Sequence, residues 1–303
     1  VIGAGEDLLT KVKDGEEVIV DGFAGQVILS PDEQAKLRLD VKRRTRTVSG
    51  STAETRTLDG KRITVLACDT MKVPAQADGV IKLDCPELPT EEEQFALFCD
   101  IAEIAEYSKA VIRLPAISPY DPDRHKKYQI QIRAALRASS HGSATILFPM
   151  ITSITEARKI LAACDDVRNQ LISEGVECSE NSRIGFMIET PAAAIISDML
   201  APVADTMLIN SDSIARLILA REKGSIFSEE FAESQRTIVL RLISYCARNA
   251  VKNGARIGIG GSLAADTSLT AEFLKMGIDK ICVPSHMVGD VREVIMNTDL
   301  SED

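Results

Sequence analysis

Several residues that could act on a small anion fall where apolar runs give way to polar sequence. Glu189 lies between IGFMI and TPAAAII. A carboxylate flanked by apolar residues on both sides needs a partner. It reads either as an oxygen ligand for a hard cation such as Mg²⁺ or as a salt-bridged strand end. Arg113 closes the run AVIR, Asp84 follows GVIKL, and Asp212 and Ser213 follow TMLIN. Gly258-Ile259-Gly260-Gly261-Ser262 offers backbone amides that could cradle a phosphate at a helix start. Glycine also serves a tight turn for geometry alone, and the spacing does not support a dinucleotide-binding fingerprint. His125, His141 and His286 are scattered, and neither a Ser/His/Asp order nor an HExxH helix is present. The residues alone therefore point to a possible anion and cation site and no further.

The elements that must position these groups recur regularly. Eight short β-rich runs follow one another: Ile63–Cys68, Gly79–Leu83, Ala110–Leu114, Ala144–Pro149, Ile184–Glu189, Thr206–Asn210, Arg256–Gly260 and Lys280–Pro284. Their near-continuous hydrophobicity suits parallel strands covered on both faces. Helical patterns lie between most of them. Thr90 with Glu93 and Ser153 with Glu156 form capping boxes. Behind the first, Phe95, Phe98, Ile101 and Ala105 share a face. Behind the second, Ile160, Cys164, Val167 and Leu171 do. A third helix from about Glu229 aligns Ile238, Leu242 and Cys246 and should stop at Asn253-Gly254. Eight strands alternating with helices make an α/β (β/α)₈ TIM barrel, with an open doubly wound sheet as the alternative. Its ligand site would lie at the carboxyl ends of the strands. Asp69–Asp78 contains Pro74 and is too short for a crossover helix, so the first βα unit should be degenerate.

The remaining sequence sets the class. With 303 residues, 45% apolar and 26% charged, the chain has the composition of a globular protein with a full core. A net charge of −10 excludes a basic footprint for nucleic acid or an anionic membrane. No apolar run is long enough for a membrane span. Seven cysteines without a CxxC pair argue against a disulfide framework or structural zinc and favour a reducing cytoplasm. Glu17–Asp21 and Gln26–Ser30, around Gly22–Gly25, predict a hairpin. Pro31 and the polar stretch after it predict a linker helix. We place a domain boundary near residue 45, giving 1–45 and 46–303, and read the start at Val1 as that of a fragment of a longer protein.

Several segments go further than spacing. LPTEEEQ (88–94), FPMI (148–151), IGFMIETPAAA (184–194), GIGGSLAAD (258–266) and MGID (276–279) occur in order at suitable separations. Together they resemble the C-terminal half of enzyme I of the bacterial phosphoenolpyruvate:sugar phosphotransferase system, with pyruvate, phosphate dikinase a more distant relative. The resemblance covers essentially the whole chain. It implies a phosphoenolpyruvate-binding (β/α)₈ barrel preceded by the end of a swivelling phosphohistidine domain, and a homodimer. It further implies Mg²⁺, arginines and a lysine that grip the phosphate, and a cysteine that protonates the enolate.

Position by position, the resemblance retains some parts and lacks others. Arg113 matches a strand-end arginine, Glu189 a metal-binding glutamate, and Lys223 an arginine downstream. Asp212 falls at an asparagine and Ser213 at the second metal ligand, so Asp212 could assist Glu189. A phosphate arginine is replaced by Asp84 and a phosphate lysine by Asp121, changing the local charge by about four units at a site for a trianion. Gly260 occupies the cysteine position and has no proton to donate. Lys223 keeps charge without bidentate geometry. The leading expectation is a divergent barrel with weak or no phosphotransfer, weak Mg²⁺ binding and a binding or regulatory role toward a phosphotransferase-system protein. An active phosphotransferase with an altered site is the alternative, and a Mg²⁺-dependent keto-acid lyase a weaker one.

Overall fold

The computed structural model describes residues 17–21, 26–31, 36, 54–68, 73–74, 76–104, 109–118, 121–141, 144–179, 182–220 and 229–301. The chain divides into two compact units, Val1–Thr52 and Ala53–Asp303. In the first, β1 (Val18–Asp21) and β2 (Gln26–Leu29) pair antiparallel with Val18 opposite Leu29. The expected hairpin strands are thus present. Its turn, most of the expected linker helix and the expected boundary at residue 45 lie outside the described residues.

The second unit is built on eight strands. These are β3 (Thr64–Cys68), β4 (Gly79–Lys82), β5 (Lys109–Arg113), β6 (Ala144–Phe148), β7 (Arg183–Ile188), β8 (Thr206–Asn210), β9 (Arg256–Gly260) and β10 (Lys280–Pro284). All pair in parallel in sequence order, and β10 closes on β3 to make a barrel. This is a (β/α)₈ barrel, and the open-sheet alternative is excluded. Among the described residues no helix separates β3 from β4, so the first unit lacks its crossover helix there.

The surrounding helices are α1 (Glu91–Ile104), α2 (Arg124–Ala138), α3 (Ile154–Ser173), α4 (Pro191–Ile195), α5 (Ser197–Leu200), α6 (Ser211–Ile218), α7 (Glu229–Lys252), α8 (Ser262–Ala265), α9 (Thr270–Lys275) and α10 (Val288–Met296). Alternation along each strand sends one set of side chains to the helices and the other to the barrel axis. Leu66, Ile81, Val111, Leu147, Met187, Leu208 and Cys282, one from each of seven strands, pack as a separate apolar layer. On β9 the corresponding place is Gly258, where an added Cβ would meet Leu208 Cδ1 at 2.7 Å. This layer plugs the barrel and divides its interior into two polar ends.

Two local expectations need correction. Thr90 and Glu93 make the full capping box: the Glu93 amide donates to Thr90 Oγ1 (3.3 Å) and the Thr90 amide to Glu93 Oε2 (3.2 Å). At α3 only half of the box forms. The Glu156 amide donates to Ser153 Oγ, but Glu156 Oε2 accepts from the amide of Thr152 rather than that of Ser153. Its other oxygen pairs with Arg124 and ties α3 to α2. The buried stripe of α7 is Val239, Ile243, Cys246, Ala247 and Ala250, while Ile238 is 45% exposed. Of the expected stripe, Cys246 is buried and Leu242 packs partly buried against the core, so only Ile238 departs from it. Gly254 ends the segment at φ +70° as expected.

Candidate functional site

The carboxyl mouth of the barrel gathers its polar groups from strand ends. Arg113 is the last residue of β5, Glu189 follows β7, Asn210 ends β8 and Gly260 ends β9. Register sets Glu189 beyond the pair Ile188–Ile209, so it lies next to Asn210 across β7 and β8. Glu189 is only 2% exposed. Its carboxylate is fully engaged. Arg113 Nε donates to Oε1 at 3.2 Å and Arg113 Nη2 to Oε2 at 3.1 Å, a bidentate pair. Asn210 Nδ2 donates to Oε1 (3.3 Å) and the Met150 amide to Oε2 (3.2 Å). Arg113 Nη1 also donates to the Leu83 carbonyl at 3.4 Å.

Two of those partners were not anticipated. Met150 sits at φ +56°, a left-handed conformation that is costly for a residue with a side chain. That conformation accompanies an amide aimed at Glu189. Asn210 works in two directions, because its Oδ1 also accepts from the Ser213 amide (3.2 Å) and caps α6. Thr190, next to Glu189, caps α4 and donates to the Ile151 carbonyl. The glutamate is therefore held between two helix starts. No sequence spacing announces Met150, but Asn210 before a helical pattern is an ordinary capping signal.

Asp212 lies apart from this pair. It accepts from the Ser262 amide at both oxygens (3.1 and 3.0 Å) and from the Ser262 hydroxyl. The next amide, that of Leu263, donates to Ser211 Oγ at 3.4 Å. The amides after the glycine-rich turn, which could have cradled a phosphate, are thus occupied by the protein's own acid and hydroxyl. Gly261 makes this possible: at φ +97° it takes a turn that disfavours a side chain, and a Cβ there would come within 2.9 Å of Asp212 Oδ2. Among the described residues Asp212 makes no bond to Arg113 or Glu189.

The other expected positions are spread around the mouth. Asp84 is exposed. Asp121 Oδ2 pairs with Lys127 Nζ at 2.7 Å, and Lys127 also reaches Glu87 at 2.9 Å. The hydrogen bond from Lys127 holds the Asp121 carboxyl below the usual carboxylate range, and the two acids hold the Lys127 ammonium above its ordinary value. Lys127 supplies a nearby cation that the sequence reading missed. Gly260 leaves a gap at the mouth: a Cβ there would sit 3.4 Å from Cys282 Cβ, an ordinary contact. Cys282 is no substitute acid, because complete burial pushes its thiol up to about 12. Lys223 lies outside the described residues.

The donor set does not make a ready Mg²⁺ site. Among the described residues no three His, Cys, Asp or Glu side chains come together to hold a metal. The oxygens of Glu189 already accept four hydrogen bonds. The arrangement can instead satisfy itself, with Arg113 answered by Glu189 and the helix-start amides by Asp212 and Ser211. No helix of the described residues is long and apolar enough to cross a membrane.

The chain is similar to known proteins along most of its length. Residues 116–300 match the family described as PEP-utilising enzyme, PEP-binding domain. The phosphoenolpyruvate-protein phosphotransferase of Enterococcus faecalis is 26% identical over 343 residues, covering 98% of this chain and 59% of that protein. That of Haloferax volcanii is 28% identical over 346 residues, covering 100% of this chain and 60% of that protein. The chain thus spans about three-fifths of the length of the curated relatives it matches. Among solved structures, a citrate lyase from Burkholderia xenovorans LB400 gives a TM-score of 0.55 at 12% identity, over 81% of this chain and 80% of that one. The Haloferax volcanii malate synthase lead(II) complex gives 0.52 at 12%, over 76% and 72%. At these identities the structural likeness is one of fold alone.

Proposed function

Because the chain belongs to the family of PEP-utilising enzymes, PEP-binding domain, we propose that its barrel is a divergent relative of the phosphoenolpyruvate-binding half of a phosphotransferase-system enzyme I. In this reading the fold is kept, phosphotransfer is weak or absent, and the protein serves in binding or regulation. It would act as a cytoplasmic homodimer beside a phosphotransferase-system protein. Residues 1–45 would be the end of the swivelling domain and 46–303 the barrel.

The observation that carries this reading is the internal pairing at the mouth. A phosphate ligand needs uncommitted cations and amides that become better satisfied as charge develops. Here Arg113 is committed to Glu189, and the amide of Ser262 to Asp212. Asp84 and Asp121 add negative charge where the resemblance places cations, and Lys127 is already shared between two acids. Gly260 has no proton to deliver to an enolate. Mg²⁺ at Glu189, helped by Asp212, would have to displace Arg113. Its affinity is expected to be no tighter than millimolar, since few charged ligands remain.

The test is a titration of phosphoenolpyruvate with Mg²⁺, paired with pyruvate release in the presence of a phosphohistidine domain. Binding at least ~100-fold weaker than in an active family member is expected, about 2.7 kcal/mol, with no pyruvate formed. The triple variant Gly260→Cys, Asp84→Arg, Asp121→Lys should recover binding. Clear turnover by the wild-type chain would overturn the reading.

A further inference from the structure

Beneath the apolar layer, at the amino mouth of the barrel, a second polar end has a different balance. A cavity of about 140 Å³ is lined by Thr145, Arg183, Asp205, Thr206, Arg256 and Lys280. That is ample beside the ~10–15 Å³ that admits one water. We propose that this amino-terminal mouth binds a small protonated oxyanion, with hydrogenphosphate as its simplest member. The proposal concerns the end opposite the candidate active site and does not depend on the reading of that site.

The charges there are not cancelled as they are at the carboxyl mouth. Lys280 is 9% exposed, and its ammonium makes one hydrogen bond, to Thr206 Oγ1 at 3.0 Å. Lys109, across the barrel end on β5, makes one to Thr64 Oγ1 at 2.9 Å. Among the described residues neither lysine has a carboxylate within ion-pair distance, and the Arg183 side chain makes no hydrogen bond or ion pair. A buried ammonium satisfied only by a hydroxyl is a costly arrangement that an anion would relieve. Burial holds the Lys280 ammonium below its ordinary value, and the charges of Arg256 and Arg183 add to that against the opposing pull of Cys282 and Asp279.

The nearby acids each hold another group, and the charge of Asp78 also acts on the Lys109 ammonium without forming an ion pair with it. Asp78 Oδ2 accepts the Val65 amide at 2.8 Å, and Asp279 Oδ2 pairs with Arg256 Nε at 2.8 Å. Asp205, which lines the cavity, accepts the Ile184 amide at Oδ2 (2.7 Å), and among the described residues its Oδ1 has no hydrogen bond. A free carboxylate oxygen repels a bare anion but accepts a hydrogen bond from a protonated one. Lys280, Arg183 and Arg256 supply donors and Thr145 supplies a hydroxyl, while the Thr206 hydroxyl is taken up by Lys280 and the Arg256 carbonyl. Asp205 selects for an oxyanion that still carries a proton. Hydrogenphosphate meets that demand near neutral pH and sulfate does not.

The experiment is calorimetric titration of the full chain with inorganic phosphate and with sulfate at fixed ionic strength. Amide shifts at Thr206 and Ile281 would locate the site. Phosphate should bind roughly tenfold or more tightly than sulfate, from one lost charge-assisted bond to Asp205. Lys280→Met and Arg183→Gln should each weaken phosphate by roughly tenfold, and Asp205→Asn should erase the preference over sulfate. Arg183 is exposed and its variant will fold, so it decides the matter if Lys280→Met does not. Absence of phosphate binding into the tens of millimolar would overturn the proposal. So would binding lost in Arg113→Gln but kept in both amino-mouth variants, since that would place the anion at the carboxyl mouth.

Discussion

The two mouths of the barrel sit on opposite sides of the same apolar layer and handle charge in opposite ways. At the carboxyl mouth Arg113 and Glu189 form a bidentate pair, two further donors complete the carboxylate, and Asp212 and Ser211 take up the Ser262 and Leu263 amides after the glycine-rich turn. At the amino mouth Lys280 and Lys109 each rest on one threonine hydroxyl. In this fold function is usual at the first end and stability at the second. Here the end that should receive a ligand satisfies itself, and the end that should be inert carries cations short of counter-charge. The position of a charged residue in a barrel therefore says less about ligand binding than whether its partner is built in.

The largest expected effect tests the self-satisfied end. Replacing Glu189 by leucine leaves Arg113 largely buried without its counter-charge. Breaking one side of a buried pair costs about 3–5 kcal/mol. Urea denaturation of Glu189→Leu should show a loss near the lower end of that range, because the Arg113 side chain keeps 17% exposure. Adding Arg113→Met should restore most of it, since a buried pair exchanged for apolar residues is often neutral. If the double variant is as unstable as the single one, the pair is not what closes this mouth.

The sequence exposed the barrel better than it exposed either mouth. All eight expected strands are present, because parallel strands buried on both faces read as unbroken apolar runs. The stripe Ile160, Cys164, Val167, Leu171 is buried as read. On α7 Cys246 and Leu242 meet the core as read but Ile238 does not, because periodicity cannot tell which of two adjacent apolar residues begins the buried stripe. Arg113 and Glu189 were legible as strand-end charges, but their pairing spans 76 residues of sequence. Met150 depends on a backbone angle that its residue type does not favour. Lys280 looked like an ordinary strand start. Only the register, which puts it opposite Thr64 and Gly258, turns it into the barrel interior.

A smaller effect tests the unsatisfied end through pH. Lys280 packs among Arg183, Asp205, Arg256, Asp279 and Cys282, with Lys109 across the barrel end, and burial is the main cause of its lowered pKa. Below that folded-state value both folded and unfolded chains carry the proton, and the folded state bears the whole desolvation cost. Between it and the ~10.4 of an unfolded lysine, the unfolded chain binds more protons, so stability rises with pH. Lys280→Met removes the cost at all pH values. It should be more stable than wild type by about 1–2 kcal/mol near neutral pH, with the gap narrowing as pH climbs toward the unfolded lysine value. Denaturation midpoints measured across that alkaline range read it out. A constant gap would mean the lysine is not strained by its burial.

The smallest expected effect asks whether the closed mouth can be opened by removing its internal anion. Asp212 is exposed, so losing its charge should disturb folding little, yet it occupies the amide of Ser262 through a charge-assisted contact. Asp212→Asn keeps a carbonyl oxygen for that amide while cancelling the negative charge that an incoming oxyanion would meet. Arg113 stays paired with Glu189, and Asp84 and Asp121 remain, so only part of the barrier is lifted. Phosphoenolpyruvate affinity should rise by about three- to tenfold, or ~0.7–1.4 kcal/mol, and the rise should shrink at high salt because the group is exposed. Phosphate binding at the amino mouth should not change, since the apolar layer from Leu66 to Cys282 lies between the two ends. A calorimetric titration of both ligands against this one variant separates the mouths. Equal gains for both would mean that the charge acts through the whole barrel rather than at its own end.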